Sequence, residues 1–137
     1  MALSDVKIID IPKICDPRGN LSFVEYGRTL PFTLERVYWI YDVPGGEKRF
    51  GHAFKEQHEV IISLSGSFDV VLNDGKEQKR YHLARSYMGL YVPNMTWREL
   101  DNFSTNSVAM VLSSTKYDPK DYIEDFDLFK KLTNEQR

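Results

Sequence analysis

The chain has 137 residues, 42% of them hydrophobic, which suits one domain with a core of its own and calls for no second one. Its 18 Lys and Arg against 20 Asp and Glu leave a formal charge of −2, which excludes the broad basic field of a nucleic-acid binder or a protein held on an anionic membrane. The lone cysteine, Cys15, allows no intrachain disulfide, Met1-Ala-Leu-Ser-Asp5 lacks the features of a secretory leader, and no apolar stretch reaches the ~20 residues that span a bilayer, so a cytoplasmic protein is expected.

Apolar runs of strand length recur along the chain at 6–11, 21–25, 34–41, 60–64, 67–73, 87–92 and 107–113, separated by loop signals such as Pro17-Arg18-Gly19-Asn20 and Gly45-Gly46. This regular spacing predicts an all-β sandwich or barrel. The clearest hairpin joins 68–72 to 77–82 through Asn73-Asp74-Gly75-Lys76, and its alternation puts Phe68, Val70 and Leu72 on one face. Val92-Pro93-Asn94 interrupts a strand before Met95-Thr96-Trp97-Arg98. Over 119–132 apolar residues fall three or four apart with Lys130 and Lys131 near the end, which predicts a short helix or two packed against the sheets. The whole reads as one domain, 1–137, without repeat or low-complexity tract.

The stretch from Gly46 to Gly66 has the spacing of the first cupin motif: Gly46, five residues, His52, one residue, Phe54, four residues, Glu59, six residues, Gly66. Phe54 stands where that motif has its second His. The second motif's frame is Gly89-Leu-Tyr-Val-Pro93-Asn-Met-Thr-Trp97-Arg98, with Arg98 in place of a ligand His. A phenyl ring offers no lone pair and a guanidinium repels a cation, so His52 and Glu59 alone hold a transition metal poorly and no metal or other cofactor is expected. An arginine aimed into a barrel points instead to an anionic guest, a phosphate, carboxylate or enolate.

Asp16-Pro-Arg18-Gly19-Asn-Leu-Ser, Pro31-Phe-Thr-Leu-Glu-Arg36-Val-Tyr38-Trp-Ile, Gly51-His52-Ala53, Leu64-Ser-Gly66-Ser, Gly89-Leu90-Tyr91-Val92, Trp97 and Tyr117-Asp-Pro-Lys-Asp121-Tyr122-Ile together resemble the sugar 3,4-ketoisomerases, from about Ile8 to Leu132. The resemblance implies a metal-free, homodimeric cupin jelly-roll barrel with a short C-terminal helical segment. It also implies a dTDP-4-keto-6-deoxyhexose as substrate, in the deoxysugar biosynthesis that feeds lipopolysaccharide and other surface polysaccharides. In that family both histidines of a His-Ala-His tripeptide line the site. The first matches His52 and the second matches Phe54.

Such an isomerisation needs a proton shuttle, a stabiliser of the developing oxyanion and a clamp for the diphosphate. Histidine suits the shuttle because its pKa of about 6.5 lets it take and return a proton near neutrality. His52 is therefore the acid/base candidate, with Arg98 or Tyr38 stabilising the enediolate. Arg36 shares a strand face with Tyr38 by alternation and, with Arg18 and Arg49, is a candidate for the nucleotide diphosphate. Phe54, Glu59, Tyr91 and Trp97 complete the expected substrate contacts, although core filling accounts for Trp97 better than stacking. If Glu59 points inward, its neighbour His58 points outward, and His82 reads as a surface residue. Two other functions stay open: a nucleotide-sugar-binding cupin without the shuttle, and a 3,5-epimerase on the same scaffold.

Overall fold

The computed structural model of the protein describes residues 3–135; Met1 and Ala2, part of the segment read for a leader, lie outside the described residues. Its strands are β1 (Lys7–Asp10), β2 (Lys13–Ile14), β3 (Leu21–Ser22), β4 (Arg36–Tyr41), β5 (Arg49–Phe54), β6 (Glu59–Ser65), β7 (Phe68–Asn73), β8 (Gln78–Leu83), β9 (Met88–Val92), β10 (Trp97–Asp101), β11 (Val108–Ser113) and β12 (Tyr122–Ile123), followed by the helix α1 (Phe126–Glu135). Two antiparallel five-stranded sheets, ordered β1-β9-β6-β11-β4 and β12-β5-β10-β7-β8, face each other, and β2 pairs with β3 in a small ribbon. This is the expected jelly roll. Among the described residues no ladder joins the two large sheets, so the barrel is open along its edges.

Alternation along the strands builds three apolar layers. Phe68, Val70 and Leu72 of β7 are fully buried and meet Ile61, Leu90, Val92 and Val111 of the opposite sheet. Val60, Ile62 and Leu112 turn to the outside of the first sheet, where Ile11 and Leu30 cover them. Ala53, Trp97 and Ile123 turn outward from the second sheet and are covered by Phe129 of α1. The β7–β8 hairpin closes where expected: Gly75 takes a φ of 96°, and Asp74 Oδ1 accepts from the amides of Lys76 and Glu77 at 2.9 and 2.8 Å.

Two segments differ from their sequence pattern. The stretch 49–54 carries no regular alternation, yet forms β5, because Phe50 and Gly51 adopt φ of 74° and 99° and the β5–β10 register shifts between Arg98 and Glu99. The periodic segment 119–132 is divided. Pro119–Asp121 forms one 3-10 turn, Tyr122–Ile123 pairs with Phe54 and Ala53, and the helix starts only after Asp125, whose Oδ1 accepts from the Asp127 amide at 2.9 Å as an N-cap.

Candidate active site

The interior between the two sheets collects side chains from both of them. His52 and Arg98 are cross-strand partners on β5 and β10. Because successive residues alternate, Phe54 joins them on the inner face, while Ala53 and Trp97 face α1. From the other sheet β4 contributes Arg36 and Tyr38, and β6 contributes Glu59 at its first residue. The structure thus brings together His52, Phe54, Glu59, Arg98, Tyr38 and Arg36 from four strands.

Arg98 and Glu59 are both fully buried, and Arg98 Nη1 lies 2.6 Å from Glu59 Oε2, an ion-pair contact whose N–H is not aligned as a hydrogen bond. Arg98 Nη2 donates to the Thr96 carbonyl at 2.9 Å, and its guanidinium carbon stands 5.0 Å from the Phe54 ring centre. The other carboxylate oxygen of Glu59 accepts from the Tyr38 hydroxyl at 3.0 Å and from Gln57 Nε2 at 2.6 Å. Gln57 Oε1 in turn accepts from Arg36 Nη2 and from Thr115 Oγ1, both at 2.9 Å. Arg36 sits against Tyr38 and the exposed Tyr117, its guanidinium carbon 5.0 and 5.6 Å from their ring centres.

His52 lies in an aromatic cage, 4.7 Å from Phe50, 4.9 Å from Phe54 and 5.1 Å from Tyr122 between ring centres. Burial in that cage, reinforced by the guanidinium of Arg98, lowers the imidazole pKa to about 3, so the ring is neutral near pH 7. Burial also pushes the Tyr38 phenol well above its usual range, and the Glu59 carboxylate adds to this, so Tyr38 keeps its proton. Arg36 Nε, His52 Nε2, Glu59 Oε2, Arg98 Nε and Arg98 Nη1 are buried without a hydrogen-bond partner. Arg98 Nη1 and Glu59 Oε2 face each other in the ion pair, which leaves Arg36 Nε, His52 Nε2 and Arg98 Nε unpaired; buried unpaired polar atoms are uncommon, and three in one cluster mark a place built to meet a polar guest.

The donor set does not fit a metal ion. Of the four cupin ligand positions only His52 and Glu59 carry donors, and the Arg98 guanidinium occupies the charge-bearing side of Glu59. Among the described residues no group of three His, Cys, Asp or Glu comes together as a ligand set.

The remaining sequence-derived candidates lie elsewhere. Trp97 is wedged between β10 and α1, 5.2 Å from the Phe126 ring and 5.7 Å from Phe129. Tyr91 is on the outer face of β9, where its hydroxyl meets His58 Nδ1 at 2.6 Å; His58 therefore faces away from Glu59. Arg18 is exposed in a loop and paired with Asp16 at 2.8 Å, and Arg49 is exposed at the start of β5. His82 lies on the surface, 2.7 Å from Asp69. Sequence reasoning missed Gln57, Thr115 and Tyr122. Gln57 stands two residues before Glu59, so the alternation used for Glu59 and His58 would also have put it on the inner side.

The family model described as "FdtA: WxcM-like, C-terminal" matches residues 4–134. The chain is 42% identical over 125 residues to the TDP-4-oxo-6-deoxy-α-D-glucose-3,4-oxoisomerase of Aneurinibacillus thermoaerophilus, covering 91% of this chain and 90% of that protein. Among solved structures it superposes on a 3,4-ketoisomerase from Helicobacter canadensis with a TM-score of 0.92 at 38% identity, covering 95% of this chain and 98% of the other. The 3,4-ketoisomerase QdtA of Thermoanaerobacterium thermosaccharolyticum, in complex with TDP, gives a TM-score of 0.95 at 33% identity over 98% of both chains. With a family model spanning nearly its whole length and relatives of this similarity, the chain belongs to the sugar 3,4-ketoisomerases, isomerases of deoxysugar biosynthesis.

Proposed function

We propose that the protein moves the ketone of a dTDP-4-keto-6-deoxyhexose from C4 to C3, with His52 carrying the proton. The observation that carries this reading is a neutral imidazole with an unpartnered, buried Nε2, paired across one ladder with a guanidinium whose Nε is also unpartnered. A base and an oxyanion stabiliser are the two groups an enediolate route requires. His52 takes the C3 proton, the C3–H pair becomes the C3=C4 bond, and the carbonyl pair moves onto the C4 oxygen beside Arg98. The C3 hydroxyl proton passes to the C4 oxygen, the C3 oxygen pair re-forms a carbonyl, and the C3=C4 pair takes a proton at C4 to give the 3-keto sugar, with no net change in oxidation state. A pKa of about 3 belongs to the site without substrate. The diphosphate and the developing oxyanion bring negative charge that raises it toward the working range. Tyr38, which keeps its phenolic proton, is the second proton-bearing group, and Arg36 anchors the diphosphate.

Incubation with dTDP-4-keto-6-deoxyglucose in deuterated water tests the reading. The expected product is a 3-keto sugar with deuterium at C4, and His52→Asn abolishes its formation. Unchanged substrate with tight dTDP binding would establish a nucleotide-sugar-binding cupin instead, and deuterium at C5 a 3,5-epimerase. QdtA has been solved as a histidine-to-asparagine variant with TDP-4-keto-6-deoxyglucose, which supports a histidine at the centre of this chemistry.

The same proposal takes the chain as a single cytoplasmic cupin domain, active without metal because of its donor set and serving the supply of sugars for surface polysaccharides such as lipopolysaccharide. It also takes the protein as a homodimer. Trp39, Tyr41 and Leu64 on the outside of the first sheet are 58%, 60% and 46% exposed, an apolar face that a second copy would cover. Light scattering should give twice the chain mass, and Trp39→Glu should shift it toward the monomer.

A further inference from the structure

We propose that Gln57 is a positioning residue that couples the diphosphate anchor Arg36 to the proton-handling pair Tyr38 and Glu59. The inference rests on the reading of the site as a ketoisomerase but concerns a residue to which that reading gives no part.

Gln57 is 1% exposed, and each half of its amide is engaged by a different part of the site. Its oxygen accepts from Arg36 and Thr115, and its nitrogen donates to the same Glu59 oxygen that receives the Tyr38 hydroxyl. Only one orientation of the amide satisfies these contacts. The flipped amide would set an NH2 against the Arg36 guanidinium, which can only donate, and an oxygen against the Glu59 carboxylate, which can only accept. Gln57 therefore transmits direction: a shift of the Arg36 guanidinium toward a diphosphate pulls on the amide oxygen and alters how strongly the nitrogen competes with Tyr38 for Glu59. The backbone beneath it is fixed from the C-terminal segment, where the Asp121 carboxylate accepts from the amides of Glu56 and Gln57 at 2.7 and 3.1 Å. A side chain held at both ends on a fixed backbone relays displacement instead of absorbing it.

The two halves separate by mutation. Gln57→Leu removes all three contacts, and Gln57→Glu keeps the acceptor for Arg36 and Thr115 while removing the donor to Glu59. Steady-state isomerisation and calorimetric titration with TDP are the readouts, with circular dichroism as the check on folding. For Gln57→Leu, kcat is expected to fall about 10- to 100-fold, the scale of one hydrogen bond to a charged group, with KM and the TDP Kd both raised. For Gln57→Glu, kcat is expected to fall on the same scale while the TDP Kd stays within about threefold. Thr115→Val, which alters only the half-buried end of the chain of bonds, should give an intermediate loss of kcat and decides the matter if Gln57→Leu does not fold. Folded variants whose kcat, KM and Kd all match the native protein would overturn the coupling. If the native protein incorporates no deuterium, the proposed reaction falls by itself, and the coupling is then decided on TDP affinity. Weakening in Gln57→Leu but not in Gln57→Glu upholds it, and equal affinities or no TDP binding by the native chain overturn it.

Discussion

Replacing Arg98 by Met, or Glu59 by Leu, tests the buried ion pair at the floor of the site. Both residues are 0% exposed and 2.6 Å apart at their closest atoms, so neither charge has water to fall back on. Removing one partner leaves the other charge uncompensated, which costs about 3–5 kcal/mol. For a chain of this length that corresponds to a fall in Tm of about 10–15 °C, at about 3 °C per kcal/mol. Replacing both removes the two charges together, so the double variant should be less unstable than the sum of the singles by about 3 kcal/mol or more, the residual loss coming from the Tyr38 hydroxyl and Gln57 amide that lose their acceptor on Glu59. The assay is a double-mutant cycle by urea denaturation with a common m-value. The double variant is expected to fold and to be inactive, because the guanidinium beside His52 is gone. Single variants that each lose less than about 1 kcal/mol, or a double variant as unstable as the sum of the singles, would refute the claim that the two charges depend on each other.

The pH dependence of stability follows from His52. Its folded pKa of about 3 lies below the unfolded value of about 6.5, so between these values the unfolded chain binds more protons; stability is full above pH 6.5 and is lost as pH falls toward 3. From pH 7.5 to pH 5 the native protein should lose about 2 kcal/mol more than His52→Asn in urea denaturation, and equal losses would contradict the assignment. Phe54→His should lower stability by about 1–3 kcal/mol without raising kcat, because the Phe54 ring is fully buried between Arg98 and Tyr122; a tenfold rate gain in steady-state assays would show the position to be open to substrate. Trp97→Ala should cost about 3–5 kcal/mol through lost packing on Phe126 and Phe129 and leave calorimetric TDP affinity within a few fold. Weak TDP binding by a stable variant would instead assign Trp97 to the nucleotide.

Much of the site is legible in the chain itself because its residues sit on regular strands or at fixed motif positions. His52 and Glu59 follow from the cupin spacing, and the pairing of Arg36 with Tyr38 follows from alternation. The charge change at the ligand positions, Phe54 and Arg98, points to an anionic guest before any coordinates are known. Tyr91 is less legible, because a short apolar run such as 87–92 does not reveal which of its faces meets the other sheet. Tyr91 turned to the outer layer with His58, and Val92 turned to the core.

Sequence alone determined most of the strands, though not β5 or β12, together with the Asp74-Gly75 hairpin, the place of His52 in its motif and the replacement of metal ligands by a phenyl ring and a guanidinium. These rest on local rules of period, turn chemistry and donor type. Only the tertiary structure decided what those groups do to one another. It placed Arg98 against Glu59, drew Tyr122 into the cage around His52, and set Gln57 between partners 21 and 58 residues away. The physical reason is that alternation fixes which residues share a face, whereas the packing of two sheets fixes which faces meet, and a buried polar side chain takes its role from whatever that packing brings within hydrogen-bond reach.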